Sequence, residues 1–214
     1  MARKNYVAIE GVIGVGKTTL ASLLAKKWNA HLKLEVVEEN PFLAQFYADM
    51  RGYAFQTQLF FLLSRHKQQA ELKQYDLFME RVVSDYLFAK DRIFANITLD
   101  DNELALYKRL ADLLERDVPK PDIVVYLQAS VDTLMERIRS RGREFERDMS
   151  SDYIETLNEA YNYFFFHYSD TPLIVVNTND INFADNTADL EELAREIEEH
   201  EGGTAYYVPL GTRS

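Results

Sequence analysis

One stretch near the start of the chain decides the fold: Tyr6-Val7-Ala8-Ile9-Glu10-Gly11-Val12-Ile13-Gly14-Val15-Gly16-Lys17-Thr18-Thr19. Residues 6–9 form an apolar run typical of a strand, and residues 11–18 fill the pattern G-x-x-x-x-G-K-[ST] completely. The residues that follow have helical spacing. Strand, glycine-rich turn and helix in this order predict a phosphate-binding loop (P-loop), because glycines let backbone N–H groups converge on phosphate oxygens.

This loop predicts that the chain binds a nucleoside triphosphate, and we expect ATP and Mg²⁺ as its cofactors. In that role Lys17 reaches the β- and γ-phosphates, and the Thr18 hydroxyl binds Mg²⁺. The residues predicted to surround the nucleotide are Gly11, Val12, Ile13, Gly14, Val15, Gly16, Lys17, Thr18 and Thr19.

Composition and charge exclude several other functions. The chain has 214 residues, of which 47% are hydrophobic, so we expect one domain over residues 1–214. It has no cysteine, which excludes a disulfide framework and a thiolate metal site and fits the cytoplasm. The net charge of −11 argues against a nucleic-acid partner. No apolar run approaches membrane-spanning length, so we expect no membrane partner either.

Apolar runs alternate with helix-period segments, which predicts an α/β fold of the P-loop kinase type. We expect a parallel five-stranded sheet flanked by helices, with strands at 6–9, 34–37, 81–84, 123–127 and 173–176. The predicted helices are 18–28, 42–50, 54–74, 87–95, 102–116, 131–140, 151–167 and 187–200. Residues 202–214 are assigned no element. Ligands of such sheets bind beyond the carboxyl ends of the strands, so residues 11–18, 38–40 and Asp85 are expected to converge on one cleft.

Arginines follow the fourth predicted strand. Arg137 and Arg141 lie four residues apart on one helical face, and Gly142 allows a turn that brings Arg143 beside them. Three guanidinium groups repel one another unless they meet an anion, such as a transferring phosphoryl group. We interpret residues 137–147 as an arginine-rich lid over the triphosphate; a basic, solvated helix end is the alternative.

The acidic pair Glu38-Glu39 follows the second predicted strand. An alcohol that attacks phosphorus must lose its proton, and a carboxylate within hydrogen-bond reach can accept it. Acidic residues after strands are usually surface-loop residues, but the strand-end position favours a catalytic role here.

Together these motifs resemble the deoxynucleoside kinases, and within them the bacterial deoxyadenosine and deoxyguanosine kinases. The resemblance extends from residue 6 to about residue 183. It is carried by the P-loop and by residues 37–43, 55–65, 84–95 and 137–146. It implies an enzyme of nucleotide salvage that transfers the γ-phosphoryl group of ATP to the 5′-hydroxyl of a deoxyribonucleoside. Family members are typically homodimers, and the long helices 54–74 or 102–116 are candidate interfaces.

The resemblance also implies a role for each matching residue. Glu38 matches the general base, with Glu39 in its place if the alignment shifts by one. The remaining positions match as follows: Tyr47 and Glu146 bind the deoxyribose 3′-hydroxyl, Gln58, Arg65 and Asp91 read the base, Phe94 lines the base, Asp85 orders Mg²⁺ through water, and Arg137, Arg141 and Arg143 are lid arginines. By position, residues 179–183 are expected near the adenine of ATP.

Two departures from the family pattern stand out. Asp85 is followed by Tyr86-Leu87, where many members have Arg-Ser, so one cation near the reacting phosphate is missing. The lid arginines are candidates to replace it. An apparent one-residue deletion after Arg92 affects the placement of Asp91 and Phe94.

The substrate is predicted to be a purine deoxynucleoside. An ionised Asp91 suits an exocyclic amine, so we rank deoxyadenosine above deoxyguanosine. A nucleoside monophosphate kinase, such as a thymidylate kinase, is the first alternative, but it normally needs an arginine after the second strand, where this chain has acids. A non-catalytic ATP-binding module is the second alternative, and it would not need Glu38.

Overall fold

The computed structural model describes residues 4–76, 81–147, 149–181, 183 and 186–207, with the side chains of 71–76 left aside. Its strands are β1 (Tyr6–Gly11), β2 (His31–Lys33), β3 (Val82–Ser84), β4 (Ile123–Gln128), β5 (Leu173–Asn177) and β6 (Thr204–Tyr207). Within this part of the chain they form one sheet of six strands in the order β2-β3-β1-β4-β5-β6, and all neighbouring pairs are parallel. The predicted α/β class with a parallel sheet is confirmed.

Helices lie between the strands, as expected for a parallel sheet. They are α1 (Lys17–Trp28), α2 (Leu43–Ala48), α3 (Met50–Asp76), α4 (Lys90–Thr98), α5 (Asp101–Glu115), α6 (Val131–Arg141), α7 (Ser151–Phe166) and α8 (Thr187–Glu199), with a short 3-10 turn at Glu144–Glu146. Ser130 caps α6 through the Thr133 amide, and a capping box of Asp100 and Glu103 begins α5. No helix among the described residues is both long and apolar enough to cross a bilayer.

The predicted count of five strands is wrong, because β6 adds a sixth at the edge of the sheet. Its residues alternate between exposed and half-buried, so the strand shows no apolar run. It lies in the segment 202–214 that was assigned no element, of which residues 208–214 are outside the described part.

The second strand lies earlier in the chain than predicted. β2 covers His31–Lys33 rather than residues 34–37, and it is the other edge strand. Its side chains are exposed or half-buried, so pairing with β3 holds it in place rather than burial. Consequently the residues that follow this strand begin at Leu34, whereas the predicted strand placed them from residue 38 onward.

Candidate active site

A cavity of about 680 Å³ lies where the segments after β1, β2, β3 and β5 meet. The glycine-rich segment 13–19 lines one part of it, and α3 and α4 line another part. Asp85, which follows β3, also lines it, as expected. Residues 38–40, predicted to reach the same cleft, are not among the lining residues, whereas Glu35 and Val37 are.

The glycine-rich loop has the backbone that its sequence predicts. Gly14 has φ +87°, and a Cβ there would lie 2.8 Å from the Leu134 carbonyl oxygen, so a larger residue would meet α6. Lys17 Nζ donates to the carbonyl oxygens of Gly11 at 2.7 Å and Val12 at 3.1 Å. Those two residues therefore lie behind the cavity and hold Lys17, rather than lining it.

Lys17 lies in an electropositive part of the cavity. Burial and, to a smaller extent, repulsion from the Lys90 ammonium group lower the pKa of the Lys17 ammonium group to about 8. The carboxylates of Glu10, Glu35 and Asp85 act in the opposite direction. An anion between two such cations would relieve their repulsion, which makes this the place for phosphate oxygens.

The two residues predicted to meet Mg²⁺ are in contact. Thr18 Oγ1 donates to Asp85 Oδ2 at 2.6 Å, and Asp85 Oδ1 accepts from the Glu35 backbone N–H at 2.7 Å. Hydroxyl and carboxylate oxygens fit Mg²⁺, which is commonly held by one or two protein groups together with substrate phosphates. The described residues contain no cluster of three or more His, Cys, Asp or Glu side chains that could hold a metal ion on its own.

Sequence analysis missed Glu35, which forms the centre of a buried charged network. Its carboxylate accepts hydrogen bonds from Arg65 Nε at 2.8 Å, from Arg65 Nη2, and from Lys90 Nζ at 2.6 Å. Burial acts to raise the pKa of Glu35, but the charges of Arg65 and Lys90 outweigh it and hold that pKa well below its usual range. The cavity is therefore lined by an ionised carboxylate.

Glu38, the predicted general base, lies elsewhere. Its side chain is 58% exposed and pairs with Arg143 Nη2 at 3.0 Å, outside the cavity lining. Glu39 is exposed as well. The cause is the displaced strand: β2 ends at Lys33, so the carboxylate that follows it closely is Glu35.

Of the four residues predicted to surround the base, three line the cavity. Gln58 and Arg65 share a face of α3, as their spacing predicts, and Phe94 comes from α4. Arg65 also lies over the Phe61 ring, with its guanidinium carbon 4.7 Å from the ring centroid. Asp91 is not among the lining residues, because its carboxylate is buried in an ion pair with Arg65 Nη1. It positions Arg65 instead.

The two residues predicted to bind the sugar both line the cavity. Tyr47 stacks on Phe145 with ring centroids 6.2 Å apart, and Glu146 is buried. Burial raises the pKa of Tyr47 well above its usual value, and the nearby Tyr153 and Glu146 raise it further. The Tyr47 hydroxyl therefore stays protonated and can donate a hydrogen bond.

The three predicted lid arginines line the cavity, and each has a partner. Arg137 donates to the Val15 carbonyl oxygen at 3.2 Å and to that of Thr178 at 2.7 Å, which ties α6 to the glycine-rich loop and to the segment after β5. Arg141 Nη2 donates to Glu146 at 2.6 Å. As predicted, α6 ends before Gly142, which has φ +66°.

The segment expected near the adenine also contributes to the cavity. Ile181 and Phe183 line it, beyond the end of β5. Asn182 lies outside the described residues. Lys90, at the start of α4, is the second charged lining residue that sequence analysis missed, because it belongs to no recognisable motif.

A parallel sheet with a glycine-rich loop after its first strand, and a lysine held at that loop, is typical of the α/β proteins that bind nucleoside triphosphates. A sequence model of one family, described as "Deoxynucleoside kinase", matches residues 7–201. The chain therefore belongs to the deoxynucleoside kinase family. The resemblance predicted from the motifs is confirmed, and so is the enzyme class, an ATP-dependent nucleoside kinase.

Individual relatives agree with this family. The chain is 36% identical over 201 residues to a deoxyguanosine kinase of Bacillus subtilis (strain 168), covering 91% of this chain and 96% of the relative. It is 34% identical over 200 residues to a deoxyadenosine kinase of Dictyostelium discoideum, covering 90% of this chain and 78% of the relative. Its fold is similar to the solved structure of deoxyadenosine kinase from M. mycoides with bound dATP, with a TM-score of 0.77, 28% identity, and coverage of 90% and 98%.

Proposed function

We propose that this chain transfers the γ-phosphoryl group of ATP to the 5′-hydroxyl of a purine deoxyribonucleoside. One observation carries the proposal: Glu35 joins the two parts of the cavity. Its backbone N–H binds Asp85, which contacts Thr18 of the glycine-rich loop, and its side chain binds Arg65 of the base end. An acceptor hydroxyl at Glu35 would thus lie between the nucleoside and the phosphate donor.

In this reaction Glu35, rather than Glu38, accepts the proton of the 5′-hydroxyl while the hydroxyl oxygen attacks the γ-phosphorus. The bond between that phosphorus and the bridging oxygen of ADP breaks, and its electron pair leaves with ADP. The proton then passes from Glu35 to solvent. Lys17 stabilises the phosphate charge throughout. Thr18 and Asp85 would hold Mg²⁺, which neutralises charge on the β- and γ-phosphates.

The arginines and the sugar-binding pair take part in closure. Glu146 accepts from Arg141 at 2.6 Å and lies 3.8 Å from Arg143 Nη1, so both guanidiniums are held by carboxylates. We propose that the triphosphate draws them from these carboxylates as the lid closes, which leaves Glu146 free to bind the 3′-hydroxyl beside Tyr47.

A purine is the acceptor base that best suits this end of the cavity. Arg65 offers guanidinium donors, and purines present an N7 acceptor that pyrimidines lack. The ranking of deoxyadenosine above deoxyguanosine depended on contact with Asp91, which lies in an ion pair with Arg65. Gln58 carries both a donor and an acceptor, so it can pair with either purine. We therefore keep deoxyadenosine and deoxyguanosine as the two candidates.

A turnover assay with separate acceptors tests this function. Purified protein with Mg²⁺-ATP is given each of the four deoxynucleosides, and the 5′-monophosphate and ADP are quantified. We expect rapid product from one or both purine deoxynucleosides and much less from deoxycytidine or thymidine. Thymidine and deoxyadenosine monophosphates serve as control acceptors, and ADP release with them alone would indicate a monophosphate kinase instead. No turnover with any acceptor would indicate a non-catalytic module.

We propose that the enzyme is a homodimer that pairs through α3 and α5, the two helices expected to form the interface. Three leucines on these helices, Leu63, Leu106 and Leu113, are exposed by 52%, 50% and 59%. Leu106 and Leu113 are seven residues apart and so lie on one face of α5, and exposed apolar side chains that share a face favour association. Light scattering is expected to give twice the mass of one chain, and a Leu106→Asp/Leu113→Asp variant half of that. A monomeric wild-type protein would contradict the proposal.

A further inference from the structure

After Asp85, many family members have an arginine followed by a serine, but this chain has Tyr86-Leu87 and so lacks that arginine's positive charge. The structure shows that Tyr86 does not replace it. The Tyr86 side chain is fully buried, and its hydroxyl has no hydrogen-bond partner among the described residues. Burial also raises its pKa, so the group stays neutral. Leu87 is apolar and buried, with its backbone N–H donating to Glu10. Neither residue can stabilise a phosphate.

Lys90 lies at the first position of α4 and lines the same cavity as Lys17, Thr18 and Asp85. Its side chain is 4% exposed, and Nζ binds Glu35 Oε2 at 2.6 Å. A buried lysine needs a partner for its charge, and here that partner is the carboxylate proposed as the general base. The ammonium group is therefore held beside the carboxylate that would accept the 5′-hydroxyl proton.

We propose that Lys90 is a catalytic residue that supplies the missing cation, binding a γ-phosphoryl oxygen while Glu35 accepts the 5′-hydroxyl proton. This inference rests on the proposed phosphoryl transfer. It assigns the cation to Lys90 rather than to the lid arginines, because Lys90 is buried beside Glu35, whereas Arg141 and Arg143 are 36% and 35% exposed and pair with Glu146 and Glu38.

The charges around Glu35 support this assignment. In the free enzyme two cations share the Glu35 carboxylate, because Arg65 Nε donates to it at 2.8 Å and Lys90 Nζ at 2.6 Å. When Lys90 turns toward a phosphate oxygen, the carboxylate oxygen that it held becomes free to accept the hydrogen bond of the 5′-hydroxyl. Once Glu35 has accepted the proton it is neutral and is no longer stabilised by a cation, whereas the phosphoryl group is still an anion that Lys90 can stabilise. As the proton neutralises Glu35, the Lys90 ammonium group therefore moves from Glu35 to the phosphoryl group, which still carries negative charge.

The test replaces Lys90 with glutamine, which can still hydrogen-bond Glu35 but carries no charge. We expect kcat to fall by on the order of 100-fold, with KM for the deoxynucleoside changed by less than about threefold, because the lost contact belongs to the transition state. Lys90→Arg keeps the charge and should recover most of kcat. Lys27→Gln makes the same substitution at a surface lysine that pairs with Glu191, and this matched control should leave kcat unchanged.

Two readouts separate this role from a structural one. A rise in Tm on adding Mg²⁺-ATP to the glutamine variant, as in wild type, shows that it is folded and binds the donor. A kcat within threefold of wild type would overturn the proposal. So would a loss that disappears at higher pH, because Lys90 would then act only through the ionisation of Glu35. An inactive wild-type enzyme would instead count against the proposed function itself.

Discussion

Replacing Glu35 with glutamine is expected to lower kcat by on the order of 10³-fold, whereas the same change at Glu38 should leave kcat within about threefold of wild type. Glutamine has nearly the shape of glutamate but cannot accept the 5′-hydroxyl proton. Glu35 is 11% exposed and lines the cavity, while Glu38 is 58% exposed and lies outside it. The pair is matched in chemistry and differs in position, and steady-state kinetics with deoxyadenosine and deoxyguanosine measures both.

A control must separate lost catalysis from lost structure. Glu35→Gln removes a charge that Arg65 and Lys90 share, so the variant is expected to have a lower Tm as well. ATP binding, measured by titration calorimetry, should persist, because Lys17 and the glycine-rich loop are unchanged. If Glu38→Gln abolishes turnover while Glu35→Gln retains it, the assignment of Glu35 from the structure is wrong. Glu38, the residue predicted from the sequence, would then be the general base.

The misplaced second strand shows which strands can be located from a sequence. The central strands β1, β4 and β5 are buried on both sides, so their apolar runs lie within a few residues of the observed strands. The edge strands β2 and β6 are largely exposed, and backbone pairing with one neighbour defines them. Sequence pattern does not report such pairing. A strand boundary misplaced by four residues was enough to direct attention to Glu38, which lies outside the cavity lining, rather than to Glu35.

Side-chain partners in the site were harder still to predict. Helical spacing correctly brought Gln58 and Arg65 to one face, because that periodicity is local. It could not show that Asp91 lies behind Arg65, since that contact joins two helices. Lys90 was likewise unremarkable in sequence, and only the fold brings it to Glu35.

Arg65→Met is expected to lower the free energy of unfolding by about 3–5 kcal/mol, since it leaves two buried carboxylates without their guanidinium partner. Those carboxylates are Glu35 and Asp91, of which the second is 2% exposed. The matched control is Arg92→Met. Arg92 also pairs with two carboxylates, Asp112 and Glu115, but it is 35% exposed, so its loss should cost under about 1 kcal/mol. Urea unfolding of the three proteins at pH 7 measures both differences.

The pH dependence of that difference gives an independent check. In wild type, Arg65 and Lys90 hold the folded-state pKa of Glu35 below the unfolded value of 4.5. The stability this provides is complete above that value and is lost as pH falls through the lowered pKa. Arg65→Met removes one of these two cations, so less of this stability remains in the variant. The gap between wild type and Arg65→Met should therefore be largest above pH 4.5 and narrow as the solution is acidified below that value. If this difference in the free energy of unfolding does not change with pH, or if Arg92→Met shows the same change, the ion pairs of Arg65 with Glu35 and Asp91 do not provide the stability.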